Sequence, residues 1–294
     1  MGKIFEALKK SEQSEQDGET KPEEVYFLNK EPVREHVREH QVPEISEPKS
    51  KNDSFDVGDP LPLCINEALV TLLKPNSVAA EQFRLLKSNI LFPEKGDPPR
   101  TIMITSPSPN EGKSFVSANL AISIAQSIDE FVFLIDCDLR MPSIHTLFGI
   151  DGAQGLSEYL SSEIPLSRVL KKTFVNKLTI LPGGSVPENP AELISSVQMR
   201  RMLHEVKLRY TDRYILIDTP PPYTSSETNV IARYVDGIIL VVRHGKTRTK
   251  EVQNIIDIYG REKILGVIQN FSSPKIGYGY GYYKSGYGRK LEEV

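Results

Sequence analysis

The sequence predicts an α/β fold, a mostly parallel central sheet flanked by helices, and two observations predict it. From residue 101 onward, short unbroken apolar runs recur, each bounded by turn residues. Between them lie longer stretches in which apolar residues return every three or four positions. Unbroken runs mark strands covered on both faces, the situation of a parallel sheet between two helix layers.

Each element can be justified in turn. Residues 77–92 read as a helix because Ala79, Phe83, Leu86 and Ile90 fall along one stripe. Residues 101–105 (TIMIT) are the first strand and 112–127 the helix after it. Residues 131–136 (FVFLID) are a strand, 179–181 a short one, and 191–210 a helix. Strands 214–218 (YILID) and 237–242 (GIILVV), helix 249–259 and strand 264–270 (ILGVIQN) complete a domain expected over 60–274.

Different chemistry is expected outside those limits. Ile4, Phe5 and Leu8 have helical spacing, so residues 1–10 are expected to form a short amphipathic helix, with a frayed end as the alternative. Residues 11–59 are rich in Glu, Lys, Pro, Ser and Gln. They bury too little apolar surface to offset ordering entropy, which predicts a disordered linker. Residues 275–294 begin as a Gly–Tyr alternation and predict a flexible tail.

Composition narrows the function. Net charge is −3 with 26% charged residues, so nucleic acid is not the expected main ligand. The two cysteines, Cys64 and Cys137, are too few for a disulfide framework or a cysteine zinc site and suit a reducing compartment. No stretch approaches the roughly 18–20 apolar residues of a membrane span. The N-terminus has no hydrophobic signal region, and Glu6 stands where a myristoylation motif has Ser or Thr. A cytoplasmic chain is expected, reaching a membrane only through a partner.

The chemistry concentrates at strand ends. Residues 106–114 (SPSPNEGKS) join the first strand to a helix and end in Gly112-Lys113-Ser114, the phosphate-binding half of a Walker A motif. Backbone N–H groups and a helix N-terminus attract phosphate, a lysine reaches the β and γ oxygens, and a serine hydroxyl ligates magnesium. Asn110, Glu111, Gly112, Lys113, Ser114 and Phe115 are therefore expected to hold ATP. Pro107 occupies the place of the first glycine of the usual pattern. Asp136 and Asp138 close one strand (LIDCDLR) and Asp218 another (LIDTPPP). In a parallel sheet such carboxylates gather at the crevice where ligands bind, and magnesium would compensate their burial. Turn capping is the alternative for each aspartate alone.

These motifs resemble the Walker A, A′ and B sequences of the bacterial tyrosine kinases of the capsular and exopolysaccharide group, within the MinD/ParA-like P-loop class. The resemblance covers roughly residues 77–288. Asn110 stands where a Gly is more usual, and Ser108 takes the place of the extra lysine of the MinD type. DCDLRMPSIHTLF is similar to the A′ order Asp-x-Asp-Leu-Arg-x-Pro, and IDTPPP to Walker B. The resemblance implies a P-loop NTPase fold and transfer of phosphate from ATP to tyrosine. It places Lys113, Asp136 and Asp138 in catalysis, with Asp136 accepting the tyrosine proton. Ser114, Asp138 and Asp218 would hold magnesium, directly or through water. Arg140 is a further candidate partner of these carboxylates, and Asn270 a candidate contact to adenine.

Two more features fit that family. Tyr278, Tyr280, Tyr282, Tyr283 and Tyr287 are five of the twelve tyrosines and fall within ten residues. Glycine between them weakens a strand and leaves a chain able to thread a tyrosine into a neighbouring site. A sticky low-complexity tail is the alternative. Glu81, Arg84 and Lys87 lie three apart on one helix side and resemble the family's Glu-x-x-Arg-x-x-Arg oligomerisation motif, with Lys87 in place of the second Arg. A solvated charged face is the alternative there. Together these imply a homo-oligomer, a ring, in which subunits phosphorylate one another's tails. They also imply a transmembrane chain-length-regulator adaptor and a role in polysaccharide synthesis or export. A MinD/ParA-like switch ATPase without a protein substrate is the rival reading.

Overall fold

The computed structural model describes residues 65–272, except 163, 210 and 211. The expected N-terminal helix, the linker and the five tail tyrosines lie outside the described residues.

Two helices precede the sheet: α1 (Val70–Leu73) and α2 (Val78–Leu91). The Ser77 hydroxyl oxygen accepts the N–H of Ala80 and caps α2, as a serine preceding an apolar stripe should. There follow β1 (Thr101–Thr105), α3 (Lys113–Ala125), β2 (Phe131–Asp136), α4 (Ile144–Phe148), α5 (Leu156–Ser161), α6 (Leu166–Val169), β3 (Lys171–Lys172) and β4 (Leu178–Leu181). The rest is α7 (Pro190–Ile194), α8 (Val197–Arg209), β5 (Arg213–Asp218), α9 (Glu227–Ile231), β6 (Gly237–Arg243), α10 (Thr249–Tyr259), a 3₁₀ turn (Arg261–Lys263) and β7 (Ile264–Asn270).

The strands form one seven-stranded sheet in the order β3-β4-β2-β5-β1-β6-β7. Every pairing is parallel except β3 with β4 at one edge. β1 is buried along its whole length, as are all but the first residues of β2 and β5. Side chains alternate between faces, so one core layer takes Met103, Ile135, Ile217 and Leu240 against α8 and α10. The other takes Ile102, Ile104, Leu134 and Leu216 against α2 and α3. Helix α3 is buried at nearly every position, so its amphipathic period is lost.

The expected helix over 191–210 is two helices. Ser195 and Ser196 take the break, and the Ser196 hydroxyl oxygen accepts the N–H of Met199, capping α8. A serine pair offers the backbone an alternative to continued helix, which periodicity alone does not register. The central strands β2, β5 and β1 are neighbours, so the loops leaving their C-terminal ends share one crevice.

Candidate active site

The loop from β1 to α3 is shaped by two left-handed residues. Asn110 has φ 61° and Gly112 φ 91°. Asparagine is one of the few side chains that tolerates this region, which explains its presence where glycine is more usual. At Gly112 a Cβ would also lie 2.0 Å from Nδ2 of Asn270. That Nδ2 donates to the Glu111 carbonyl at 3.1 Å. The Glu111 side chain is buried inside the loop, where Oε2 accepts the Ser108 N–H at 3.0 Å and Oε1 accepts the Thr247 hydroxyl. The loop is thus held from beneath by its own glutamate and from the flank by β7. Its backbone N–H groups at the start of α3 remain to bind an anion, since the first turn of a helix leaves them without helical partners.

Three aspartates face this loop. Asp136 and Asp218 are partners in register across β2 and β5, and both are fully buried. The Ser114 hydroxyl donates to Asp218 Oδ2 at 2.6 Å, and the Ser117 hydroxyl to Oδ1 at 3.0 Å. Asp136 accepts the N–H groups of Ser143 at 2.9 Å, Ile144 at 3.0 Å and Asp138 at 3.2 Å. Asp138 is less buried, and its Oδ1 accepts the Met141 N–H at 3.2 Å. The turn after β5 is fixed by hydroxyls: Thr219 donates to the Ile104 carbonyl at 3.0 Å, and Thr105 and Thr228 donate to that of Pro220 at 3.0 and 2.7 Å.

The electrostatics follow from this burial. Burial, and then the Asp218 charge, pushes Asp136 up to about 8. Burial also raises Asp218 to about 6, against the opposing pull of Lys113 and of the Ser114 and Ser117 hydroxyls. Asp138 is raised by burial, with Lys113 the main counterweight. The Cys137 thiol between them is buried and pushed well upward, so it is an inert core side chain.

Compensation for these carboxylates comes from backbone N–H groups, the Ser114 and Ser117 hydroxyls, Lys113 and Arg140. Among the described residues no three His, Cys, Asp or Glu side chains form a group able to hold an ion. The arrangement still suits magnesium. That ion takes one or two protein carboxylates and completes its octahedron with phosphate oxygens and water. Ser114, oriented by Asp218, and Asp138, the more accessible carboxylate, form a donor set of that kind.

The same architecture occurs in known proteins. Residues 99–293 match the ParA family model, described as NUBPL iron-transfer P-loop NTPase. The tyrosine-protein kinase YwqD of Bacillus subtilis is 33% identical over 217 residues, which are 73% of this chain and 90% of YwqD. The chain belongs to the bacterial tyrosine-protein kinases. The kinase domain of the Escherichia coli tyrosine kinase ETK superposes with a TM-score of 0.63 at 32% identity, over 72% of this chain and 84% of that one. Tyrosine-protein kinase wzc of Salmonella typhimurium is 32% identical over 74% of this chain but only 31% of its own length, so this kinase spans under a third of it. Among the described residues no helix is long and apolar enough to cross a membrane.

Within this tyrosine-kinase fold the predicted residues divide into three groups. Lys113, Ser114, Asp136, Asp138 and Asp218 come together at the crevice. Glu111, Asn270 and Phe115 lie beside it, but their side chains serve the scaffold. Glu111 is turned inward, Asn270 grips the loop, and the Phe115 ring packs edge-on against Phe83 at 5.8 Å. Glu81, Arg84 and Lys87 sit on α2, where Arg84 pairs with Glu81 and donates to the Pro75 carbonyl.

Arg140 has two partners: its backbone N–H and its charge both pull the Asp138 carboxyl downward, as expected, and its side chain also reaches a carboxylate outside the crevice. The side chain pairs with the nearly fully buried Glu227, with Nε and Nη2 each 3.0 Å from Oε1, and Ser225 donates to the same carboxylate at 2.5 Å. Sequence reasoning missed Glu227 and Thr247, since each meets its partner only across the fold. The acidic residue opening α9 just after IDTPPP is the one local signal for Glu227.

Proposed function

We propose that this kinase transfers the γ-phosphoryl group of ATP to tyrosines of its own C-terminal cluster, Tyr278, Tyr280, Tyr282, Tyr283 and Tyr287, between subunits of a homo-oligomer. The observation that carries this reading is the alignment of Ser114, Asp218 and Asp138 with Lys113 at the mouth of an anion-binding loop. Phosphoryl transfer asks chiefly for charge neutralisation and an oriented nucleophile, and these side chains can supply both. The loop N–H groups and Lys113 hold the β and γ phosphates. Ser114 would ligate magnesium directly, with Asp218 orienting the serine and Asp218 and Asp138 meeting the ion through water, which leaves an Asp138 oxygen free to take a proton. Magnesium, when bound, would neutralise phosphate charge.

The accessible Asp138 is the better placed proton acceptor for an incoming tyrosine hydroxyl. Asp136 is fully buried and anchored by three backbone N–H groups, which makes it the post that holds the 137–144 turn. Five phosphates at about −1.5 to −2 each would make the tail strongly anionic, repelling it from the acidic crevice and releasing it. The domain limits 60–274, the ring held by Glu81, Arg84 and Lys87, and activation by a transmembrane chain-length-regulator adaptor in polysaccharide export belong to the same proposal. The resemblance of the motifs supports them.

The test incubates the chain with ATP and magnesium, with and without an adaptor's cytoplasmic segment, and probes phosphotyrosine. Signal lost in Lys113→Ala and on deletion of residues 278–287 supports the proposal. ATP turnover with no phosphotyrosine, adaptor present, would overturn it in favour of a switch ATPase.

A further inference from the structure

Past the last strand, one side chain beside the phosphate loop has no part in the chemistry above. Phe271 has φ 59°, a left-handed backbone that a bulky side chain adopts only under constraint. Its N–H donates to Asn270 Oδ1 at 2.8 Å, and Asn270 Nδ2 in turn donates to the Glu111 carbonyl. The strained residue is therefore tied to the loop by a single carboxamide. The guanidinium of Arg243, opposite Asn270 on β6, lies over the Phe271 ring at 4.3 Å from its centroid. The ring edge reaches the loop glycine, with Cε2 3.6 Å from where a Cβ at Gly112 would stand. Phe271 is nevertheless 55% exposed. A large aromatic, more than half exposed, thus lies against a cation at the flank of the phosphate loop.

The geometry points to Phe271 as the stacking platform for the purine base of the nucleotide, with Arg243 clamping the ring and Asn270 setting its angle. This deepens the nucleotide reading above and rests on it. A ring backed by a guanidinium is fixed in plane before the ligand arrives, so little freedom is lost on stacking. The strain at φ 59° is accounted for if it aims the ring at the base.

Calorimetric titration of the full chain with the magnesium complexes of ATP and of inorganic tripolyphosphate separates base from phosphate contacts. Phe271→Ala should weaken ATP about 5- to 150-fold, the range for loss of one base stacked on an aromatic ring. It should leave tripolyphosphate within about twofold, and Phe271→Trp should bind ATP as the parent does. Phe271→Gly, which relieves the backbone while removing the ring, should lose ATP affinity to the same extent. In the kinase assay the alanine variant should raise KM for ATP with little change in kcat. Parallel loss of ATP and tripolyphosphate would show that Phe271 only props the loop, and unchanged ATP affinity would show that it does not touch the base. Either result overturns the proposal. A parent protein that binds tripolyphosphate no better than Lys113→Ala would instead remove the phosphate-loop reading, and this proposal with it.

Discussion

At the scale of the residue, two carboxylates are fully buried in one crevice with a third partly exposed beside them, and their charge is only partly compensated. Asp136 and Asp218 bind a proton more tightly in the fold than at the ordinary 3.8. The metal-free protein therefore has their full contribution below about pH 4, and loses it as pH rises through about 6 and then about 8. Its melting temperature should fall between about pH 5 and about pH 8, with a shallower slope in Asp136→Asn, as differential scanning fluorimetry can measure. Asp138→Asn should lower kcat by ~10²–10⁴, the usual range for a general base, with ATP still bound. Asn110→Ala should destabilise by about 1 kcal/mol because alanine is poorly tolerated at φ 61°, whereas Asn110→Gly should not, as a urea titration would show. The meeting of Lys113, Ser114 and Asp218 was legible in the sequence because it needs only neighbouring strand ends and a helix that follows one of them. The inward turn of Glu111 and the link from Arg140 to Glu227 were not. Whether a charged side chain turns inward, or finds Glu227 across 87 positions of sequence, is settled by the packed neighbours.

At the scale of the element, strands were more legible than helices. β1, β2 and β7 fall where unbroken apolar runs place them, to the residue. For β1 and β2 burial on both faces accounts for the unbroken run, whereas β7 is an edge strand that alternates buried or half-buried with exposed residues. Helices α4, α5, α6 and α9, of four to six residues each, escaped because none completes two turns of periodicity. Helix α2 carries the Glu81–Arg84 pair on a face that also exposes Val78 and Leu85, one heptad apart. If this face joins subunits, Arg84→Ala should shift the protein toward monomer in sedimentation velocity while its ATP affinity stays the same. Exposed pairs contribute little by themselves, so an unchanged assembly would return the helix to the solvated class.

At the scale of the whole molecule, the site is assembled by topology. The order β2-β5-β1 places the A′, B and A motifs side by side, although residues 149–216 separate the first two along the chain. Ligand binding should accordingly stabilise the entire domain. Magnesium ATP at about 100 times its Kd should add about 2.7 kcal/mol, read as a raised urea midpoint, and Lys113→Ala should lose that gain. The tail deletion that abolishes phosphotyrosine should leave this stabilisation in place.

The pairing of Asp136 with Asp218 has a consequence for how such a protein fails. Each carboxylate reaches the crevice only because its strand is aligned with the neighbour residue for residue. A slip of a single position would turn one of them to the opposite side of the sheet while leaving the apolar layers nearly as well filled. Kinase competence is thus a gauge of strand alignment, able to vanish in a misassembled chain whose secondary structure looks intact.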